Sequence, residues 1–108
     1  MQNNSGWKPA GRAVLVRPLD AVAKNPESKI VIPKSITDRT KMMEDRAHIV
    51  ALGPLAWAEE GQNRAEVGDE VILAAFSGYL LRGDDGVDYR FVNERDVFAV
   101  RNSEARHG

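Results

Sequence analysis

Short apolar segments separated by turn-forming residues constrain the fold of this chain more than any other feature. Each segment has four to six residues, which is the usual length of a strand and too short for a stable helix. The segments are Ala13–Val16, Ala47–Leu52, Val71–Ala75, Tyr79–Arg82, Val87–Phe91 and Val97–Val100. Their spacing, with the Gly-Asp-Asp-Gly sequence of residues 83–86 as a hairpin turn, predicts an all-β fold. We expect a small irregular antiparallel β-barrel.

The side-chain pattern within the segments predicts which faces are buried. The first strand is apolar on both faces, because Val14 and Val16 point one way and Leu15 the other. Such a strand is buried on two sides, or buried on one side and covered by a partner on the other. In Val87–Phe91, apolar residues alternate with Asp88 and Arg90, which predicts a half-buried strand. The first and last strands lie near the termini and leave apolar edges, which favours pairing with a second copy in a ring or dimer.

Length and composition predict one globular domain. The chain has 108 residues, of which 43% are apolar and 29% are charged. Its net charge of −1 argues against a general nucleic-acid binder and against a polybasic membrane-surface protein. Without cysteine it has no disulfide and no thiolate metal site. It shows neither a signal-peptide pattern nor an apolar stretch of about 20 residues, so we expect no membrane association and a cytoplasmic location.

Residues 23–45 break the strand pattern and contain an isolated apolar patch, Ile30-Val31-Ile32-Pro33, between charged segments. A loop of this length without secondary structure is uncommon in a compact domain and usually indicates function. The apolar triplet either packs on its own barrel or binds another molecule. Two further features stay open between internal packing and partner contact: the pair Met42-Met43, and Trp57 in the polar excursion of residues 54–66.

The chain shows no credible catalytic or metal-binding motif. His48 and His107 have no partner at metal-ligand spacing, and the aspartates after Gly83 lack the later ligands of a calcium loop. Ser77 does not lie in a nucleophile elbow. We therefore expect no enzyme, no metal and no cofactor.

Several segments occur in an order that is typical of one protein family. They are Arg12-Ala13-Val14-Leu15-Val16-Arg17, the patch at residues 30–33, Ile49-Val50-Ala51-Leu52-Gly53-Pro54, Val67-Gly68-Asp69-Glu70-Val71-Ile72-Leu73, Asp88-Tyr89-Arg90-Phe91-Val92 and Glu94-Arg95-Asp96-Val97-Phe98-Ala99-Val100. In this order, from Arg12 to Arg101, they resemble the small co-chaperonins of the GroES type, the chaperonin-10 family, including members encoded by bacteriophages. Ser28-Lys29 stands where that family often has Gly-Gly.

The resemblance implies a homo-oligomeric ring, a heptamer, that caps an ATP-bound chaperonin of the GroEL type and assists the folding of encapsulated proteins. It assigns residues 23–45 as a mobile loop whose apolar tripeptide inserts into a groove of the chaperonin. It assigns residues 54–66 as a roof loop that contains Trp57, residues 1–10 as an N-terminal extension and residues 102–108 as a tail. A phage-encoded member would act in the host cytoplasm. The implied chaperonin-binding residues are Ile30, Val31 and Ile32.

The resemblance also implies where neighbouring subunits meet. The first strand of one subunit would lie near the last strand of the next. The residues implied in this subunit interface are Val14, Leu15, Val16, Val97, Phe98, Ala99 and Val100.

Two other functions are compatible with a small barrel. A non-catalytic interaction module or phage structural protein would need no chaperonin partner. An oligonucleotide-binding barrel is disfavoured by the near-neutral charge and the 6% aromatic content, because such barrels use a basic groove and stacking aromatic side chains.

Overall fold

The computed structural model describes residues 2–19 and 45–102. These residues form six strands and two single turns of 3₁₀ helix, Ala58–Glu60 and Glu94–Asp96, and contain no α-helix. None of their helices is long and apolar enough to cross a membrane. The strands are β1 (Ala13–Pro18), β2 (Arg46–Leu52), β3 (Glu70–Leu73), β4 (Tyr79–Arg82), β5 (Asp88–Asn93) and β6 (Val97–Val100).

All six strands join in one antiparallel sheet with the order β4-β5-β1-β2-β3-β6. The predicted all-β antiparallel fold is therefore confirmed. The sheet is open, because β4 and β6 each have a single strand neighbour within the described residues. It is also strongly curved. Arg90 on β5 donates a hydrogen bond to the carbonyl oxygen of Ala74, just after β3, although β1 and β2 lie between these strands in the sheet.

The curvature encloses the main core on the inner face of the sheet. Val14 and Val16 of β1 lie at its centre, and every strand except β4 contributes at least one buried residue. The largest side chain in this cluster is Trp57, from the segment between β2 and β3. The remaining core residues are Ala47, Ile49, Ala56, Ala65, Val71, Leu73, Val92 and Val97.

A smaller cluster covers the opposite face of the sheet. Leu15, Val50 and Tyr89 are buried there, with Val87 and Phe91 packed around them. Leu15 has 0% exposure, as have its neighbours Val14 and Val16. The alternating side chains of β1 are therefore buried on both faces within one chain, which is the first of the two alternatives that the apolar pattern left open.

Strand β5 departs from its predicted alternation. Arg90, expected on the polar face, has 0% exposure, and Tyr89 beside it is also buried. Arg90 donates from Nε to the carbonyl oxygen of Ser77 at 2.7 Å and from Nη2 to Ala74 O at 2.9 Å and Ser77 Oγ at 3.0 Å. A buried guanidinium is stable only when oxygen acceptors replace its hydration, and the connection between β3 and β4 supplies them.

Candidate functional site

The tripeptide Ile30-Val31-Ile32 and the pair Met42-Met43 lie outside the described residues. The structure does describe the two strand ends that flank residues 20–44. Pro18 at the end of β1 is the register partner of Ala47 near the start of β2. The carbonyl oxygen of Asp45 accepts a hydrogen bond from the Leu73 backbone N–H at 2.6 Å, which ties this flank to β3. The chain therefore leaves the sheet and returns to it at neighbouring positions.

The edge strand β6 is the most exposed apolar element of the predicted site. Val97 is buried in the core, whereas Phe98 is 68% exposed and Ala99 and Val100 are also exposed. One edge of β6 pairs with β3, and within the described chain its other edge has no strand neighbour. A free strand edge with apolar side chains is a surface that readily pairs with another chain.

Just beyond β6, an ion pair fixes the strand against β3. Arg101 donates from Nε to Glu70 Oε1 at 2.9 Å and from Nη2 to Glu70 Oε2 at 3.2 Å. This hydrogen bonding lowers the pKa of the Glu70 carboxyl; burial opposes it, and the guanidinium charge adds a smaller lowering effect. The contact aligns the end of β6 without covering its free edge.

The other strand in the predicted subunit interface, β1, offers no surface. Val14, Leu15 and Val16 are fully buried, and the strand lies between β2 and β5, with both neighbours hydrogen-bonded. The structure thus separates the seven residues of that prediction into a buried group and an exposed group. Val14–Val16 and Val97 belong to the interior of one chain, and Phe98, Ala99 and Val100 face outwards.

Trp57 is an interior residue of the segment that connects β2 to β3. It is 1% exposed, its indole Nε1 donates to the carbonyl oxygen of Glu94 at 2.9 Å, and its backbone N–H donates to the Glu94 carboxylate. Its backbone lies in the left-handed region, with φ 57°. Of the two roles left open from the sequence, the structure shows the internal one, because Trp57 covers the core beneath its own loop.

The outer surface of the same segment carries charged side chains. Arg12 donates to Glu59 at 2.8 Å, and this hydrogen bond, more than the charge attraction, lowers the pKa of the Glu59 carboxyl. Leu55 is an exposed apolar residue of the segment. The contacts of Trp57 and Arg12 give the segment a fixed position over the core.

A second hydrogen-bonded turn closes the hairpin between β4 and β5. The Tyr89 hydroxyl donates to Asp85 Oδ2 at 2.6 Å. Burial of the ring, and then the bond to Asp85, raises the pKa of Tyr89 to about 12. The same hydrogen bond lowers the pKa of the Asp85 carboxyl.

The described residues contain no group of three or more histidine, cysteine or carboxylate side chains placed to hold a metal. His48, on β2, pairs in register with Arg17 on one side and Glu70 on the other. Its Nδ1 is buried and has no hydrogen-bond partner. Nothing in this arrangement supplies a nucleophile with a base.

Comparison with known proteins places this chain in a family. Residues 7–101 match the family model of the chaperonin 10 kDa subunit. The chain belongs to the chaperonin 10 family. The resemblance inferred from the ordered segments is therefore confirmed. Its members are non-enzymatic chaperones, which also confirms the expectation that the chain is not an enzyme.

Individual chaperonin 10 relatives align over nearly their whole length. The chain is 33% identical to the co-chaperonin GroES of Clostridium novyi (strain NT) over 95 residues, which cover 86% of this chain and 95% of the relative. It is 32% identical over 100 residues to the co-chaperonin GroES of Coprothermobacter proteolyticus, and these residues cover 90% of this chain and 96% of the relative. The protein of the same name from Fusobacterium nucleatum subsp. polymorphum is 34% identical to this chain over 93 residues. These residues cover 86% of this chain and 94% of the relative.

Three features of this chaperonin 10 chain were not predicted from its sequence. They are the buried Arg90, the edge of β4 that has no strand neighbour among the described residues, and the ordered N-terminal segment, in which Ser5 has 0% exposure. Only the last had a sequence signal, because Asn3-Asn4-Ser5-Gly6 is rich in residues that form hydrogen-bonded turns.

Proposed function

We propose that this chain is a co-chaperonin that assembles into a ring and caps an ATP-bound chaperonin of the GroEL type. The observation that carries the proposal is the match of residues 7–101 to the chaperonin 10 family. The relatives named co-chaperonin GroES, aligned over most of both chains, support the same role. The proposal assigns chaperonin binding to Ile30, Val31 and Ile32.

The tripeptide suits a contact that must form and be released. Burying three aliphatic side chains contributes roughly 5–8 kcal/mol before any cost is subtracted. Ordering the surrounding loop costs about 1–2 kcal/mol for each residue fixed, which offsets much or all of that gain. One loop therefore binds weakly. Several loops linked in a ring bind together through their high effective concentration.

Two features favour productive presentation of the tripeptide. Pro33 restricts Ile32 to extended conformations, which reduces the ordering cost on binding. The register pair Pro18 and Ala47 holds the two flanks of residues 20–44 side by side on the sheet. Both ends of the loop are thereby attached to neighbouring strands of one sheet.

Ring formation is proposed to use the three exposed residues of the predicted subunit interface. Phe98, Ala99 and Val100 lie on the free edge of β6 and would contact the neighbouring subunit. Val14–Val16 would support the contact from the interior. Residues 54–66 would form the roof of the dome, with the buried Trp57 fixing their position. A contact between two different surfaces of identical subunits closes into a ring when the rotation per subunit is suitable.

The tripeptide assignment is tested by Val31→Asp, with Ile36→Asp as the matched control. Both replace an aliphatic residue of the same loop with a carboxylate, but only Val31 belongs to the tripeptide. We expect Val31→Asp to form an intact ring that no longer co-migrates with a GroEL-type chaperonin in the presence of ATP. Ile36→Asp should retain binding. Normal capping by Val31→Asp would show that the tripeptide is not the chaperonin anchor.

A further inference from the structure

The edge strand β6 contains a bulge at Phe98. In the pairing of β6 with β3, the register shifts between Ile72 and Leu73. Their partners on β6 are Ala99 and Val97, so Phe98 between them has no register partner on β3. An extra residue of this kind interrupts the hydrogen-bond ladder, bends the strand and redirects a side chain. The bulge is therefore the place where β6 turns an aromatic side chain outwards, since Phe98 is 68% exposed.

The peptide group between Val97 and Phe98 lies within the interrupted part of the ladder. Before the bulge, the backbone N–H of Ala74 donates to the carbonyl oxygen of Asp96 at 2.9 Å, and beyond it the ion pair at the end of β6 holds the strand. Because a peptide group is planar, the direction of the Val97 carbonyl oxygen also fixes the directions of the Phe98 N–H and Cα. A contact to Val97 O therefore controls how the Phe98 side chain leaves the strand.

Arg64, from the segment between β2 and β3, makes this contact. Its Nη1 donates to the carbonyl oxygen of Val97 at 2.6 Å. The other side of the guanidinium is held by Glu60: Nε lies 3.0 Å from each carboxylate oxygen, and Nη2 lies 2.9 Å from Oε2. A guanidinium that binds a carboxylate through two nitrogen atoms is fixed in direction as well as in distance. Arg64 therefore reaches the bulge in one defined orientation.

The Glu60 end of this contact is tied to the main core. Glu60 is the last residue of the 3₁₀ turn Ala58–Glu60, and its backbone N–H donates to the carbonyl oxygen of Trp57 at 3.0 Å. Trp57 is 1% exposed, and its indole N–H is bonded to the backbone of Glu94. A series of three residues, Trp57, Glu60 and Arg64, thus connects the core to the Val97 carbonyl.

We propose that Arg64 is a positioning residue for ring assembly. It holds the peptide group between Val97 and Phe98, so that the Phe98 side chain points towards the neighbouring subunit. Arg64 acts on the contact through Phe98, from inside its own subunit. Residues 54–66 thereby shape the ring edge as well as cover the core. This inference rests on the proposed function, in which Phe98 contacts the next subunit.

A double-mutant cycle between Arg64 and Phe98 tests the proposal. Both residues are exposed in the chain, so Arg64→Met and Phe98→Ala should leave the fold of the subunit intact. Arg64→Met should raise the concentration at which the ring dissociates by about tenfold, the effect of losing a hydrogen bond from a charged group. Phe98→Ala should raise it at least as much. The double variant should dissociate at about the same concentration as Phe98→Ala alone, because Arg64 then has no Phe98 side chain to position.

The matched control is Arg82→Met, on the other edge strand of the sheet. Arg82 also forms an exposed ion pair, with its Nε 3.6 Å from Asp88 Oδ1, and its replacement should leave ring dissociation unchanged. Dissociation is followed by native mass measurement over a dilution series, with far-UV circular dichroism to confirm folding. If Arg64→Met does not fold, Glu60→Gln replaces it in the same cycle with the same direction of effect, because it removes the carboxylate that orients Arg64.

Three results would overturn the inference. They are unchanged dissociation in either single variant of the cycle, effects of the two substitutions that add in full, and weakening of the ring by Arg82→Met to the same degree as by Arg64→Met. Full additivity would mean that Arg64 only stabilises its own segment. If wild-type rings cap the chaperonin, the proposed function survives each of these failures. A wild-type chain that forms no ring overturns both.

Discussion

Replacing Trp57 with alanine should destabilise the subunit more than any substitution on its surface. Trp57 is 1% exposed, lies in the main core and donates its indole N–H to Glu94 O at 2.9 Å. Truncation of a buried tryptophan to alanine costs about 3–5 kcal/mol. Because the unfolding free energy of a native protein is about 5–15 kcal/mol, this loss is a large fraction of the total stability. Trp57→Phe keeps an aromatic ring and loses the hydrogen bond, so it should cost less, about 1–3 kcal/mol.

The assay is equilibrium unfolding in urea followed by far-UV circular dichroism. All variants are compared at one subunit concentration, since ring formation makes the unfolding midpoint depend on concentration. Leu55→Ala is the matched control, because Leu55 belongs to the same segment but is 51% exposed, and it should change the unfolding free energy by no more than about 0.5 kcal/mol. A cost below about 1 kcal/mol for Trp57→Ala would refute the placement of this side chain in the core.

Two further predictions concern the hairpin region. Gly78→Ala should destabilise the chain by more than Gly86→Ala: both glycines have φ 81°, but a β-carbon at residue 78 would collide with the carbonyl oxygen of Phe91, whereas residue 86 has open space. In the same urea assay we expect the unfolding free energy to fall by about 1–2 kcal/mol for Gly86→Ala and by more for Gly78→Ala. Equal losses would contradict the close approach of residue 78 to the carbonyl oxygen of Phe91. Burial and then the bond to Asp85 raise the pKa of Tyr89 from 10.0 to about 12, so between these pH values the folded chain keeps a proton that the unfolded chain has lost. The unfolding free energy should therefore fall as pH rises through this window, and Tyr89→Phe should remove that part of the fall; an unchanged slope would exclude the buried phenol as its cause.

The positions of the strands were predictable because their pattern is local. Short apolar segments and turn residues indicated six strands, and the apolar character of both faces of Ala13–Val16 matched the central, doubly covered position of β1. The exposure of Phe98 was not evident from its segment, since Val97 beside it is equally apolar and fully buried. Which of them faces outwards depends on the register of β6 on β3, and that register shifts between Ile72 and Leu73.

The features that escaped sequence reasoning depend on contacts between distant segments. Arg90 looked like a solvent-facing residue, and it is buried because oxygen atoms of Ala74 and Ser77 surround its guanidinium. The polar N-terminus looked like a simple extension, and it is ordered because Asp84 and Ser5 meet across the domain. Neither meeting has a local pattern, because each joins segments that are far apart in the sequence. The tripeptide Ile30-Val31-Ile32, in contrast, could be singled out from the sequence, because it is an apolar patch in a segment without a strand pattern.

The proposed capping of a chaperonin is tested most directly by native mass measurement of the chain mixed with a GroEL-type chaperonin, with and without ATP. The account predicts a ring of identical subunits that joins the chaperonin as a single complex when ATP is present and separates from it when ATP is omitted. Val31→Asp should form the same ring and remain separate under both conditions. A wild-type ring that never joins the chaperonin, or one that joins it equally well with the Val31→Asp substitution, would contradict the account.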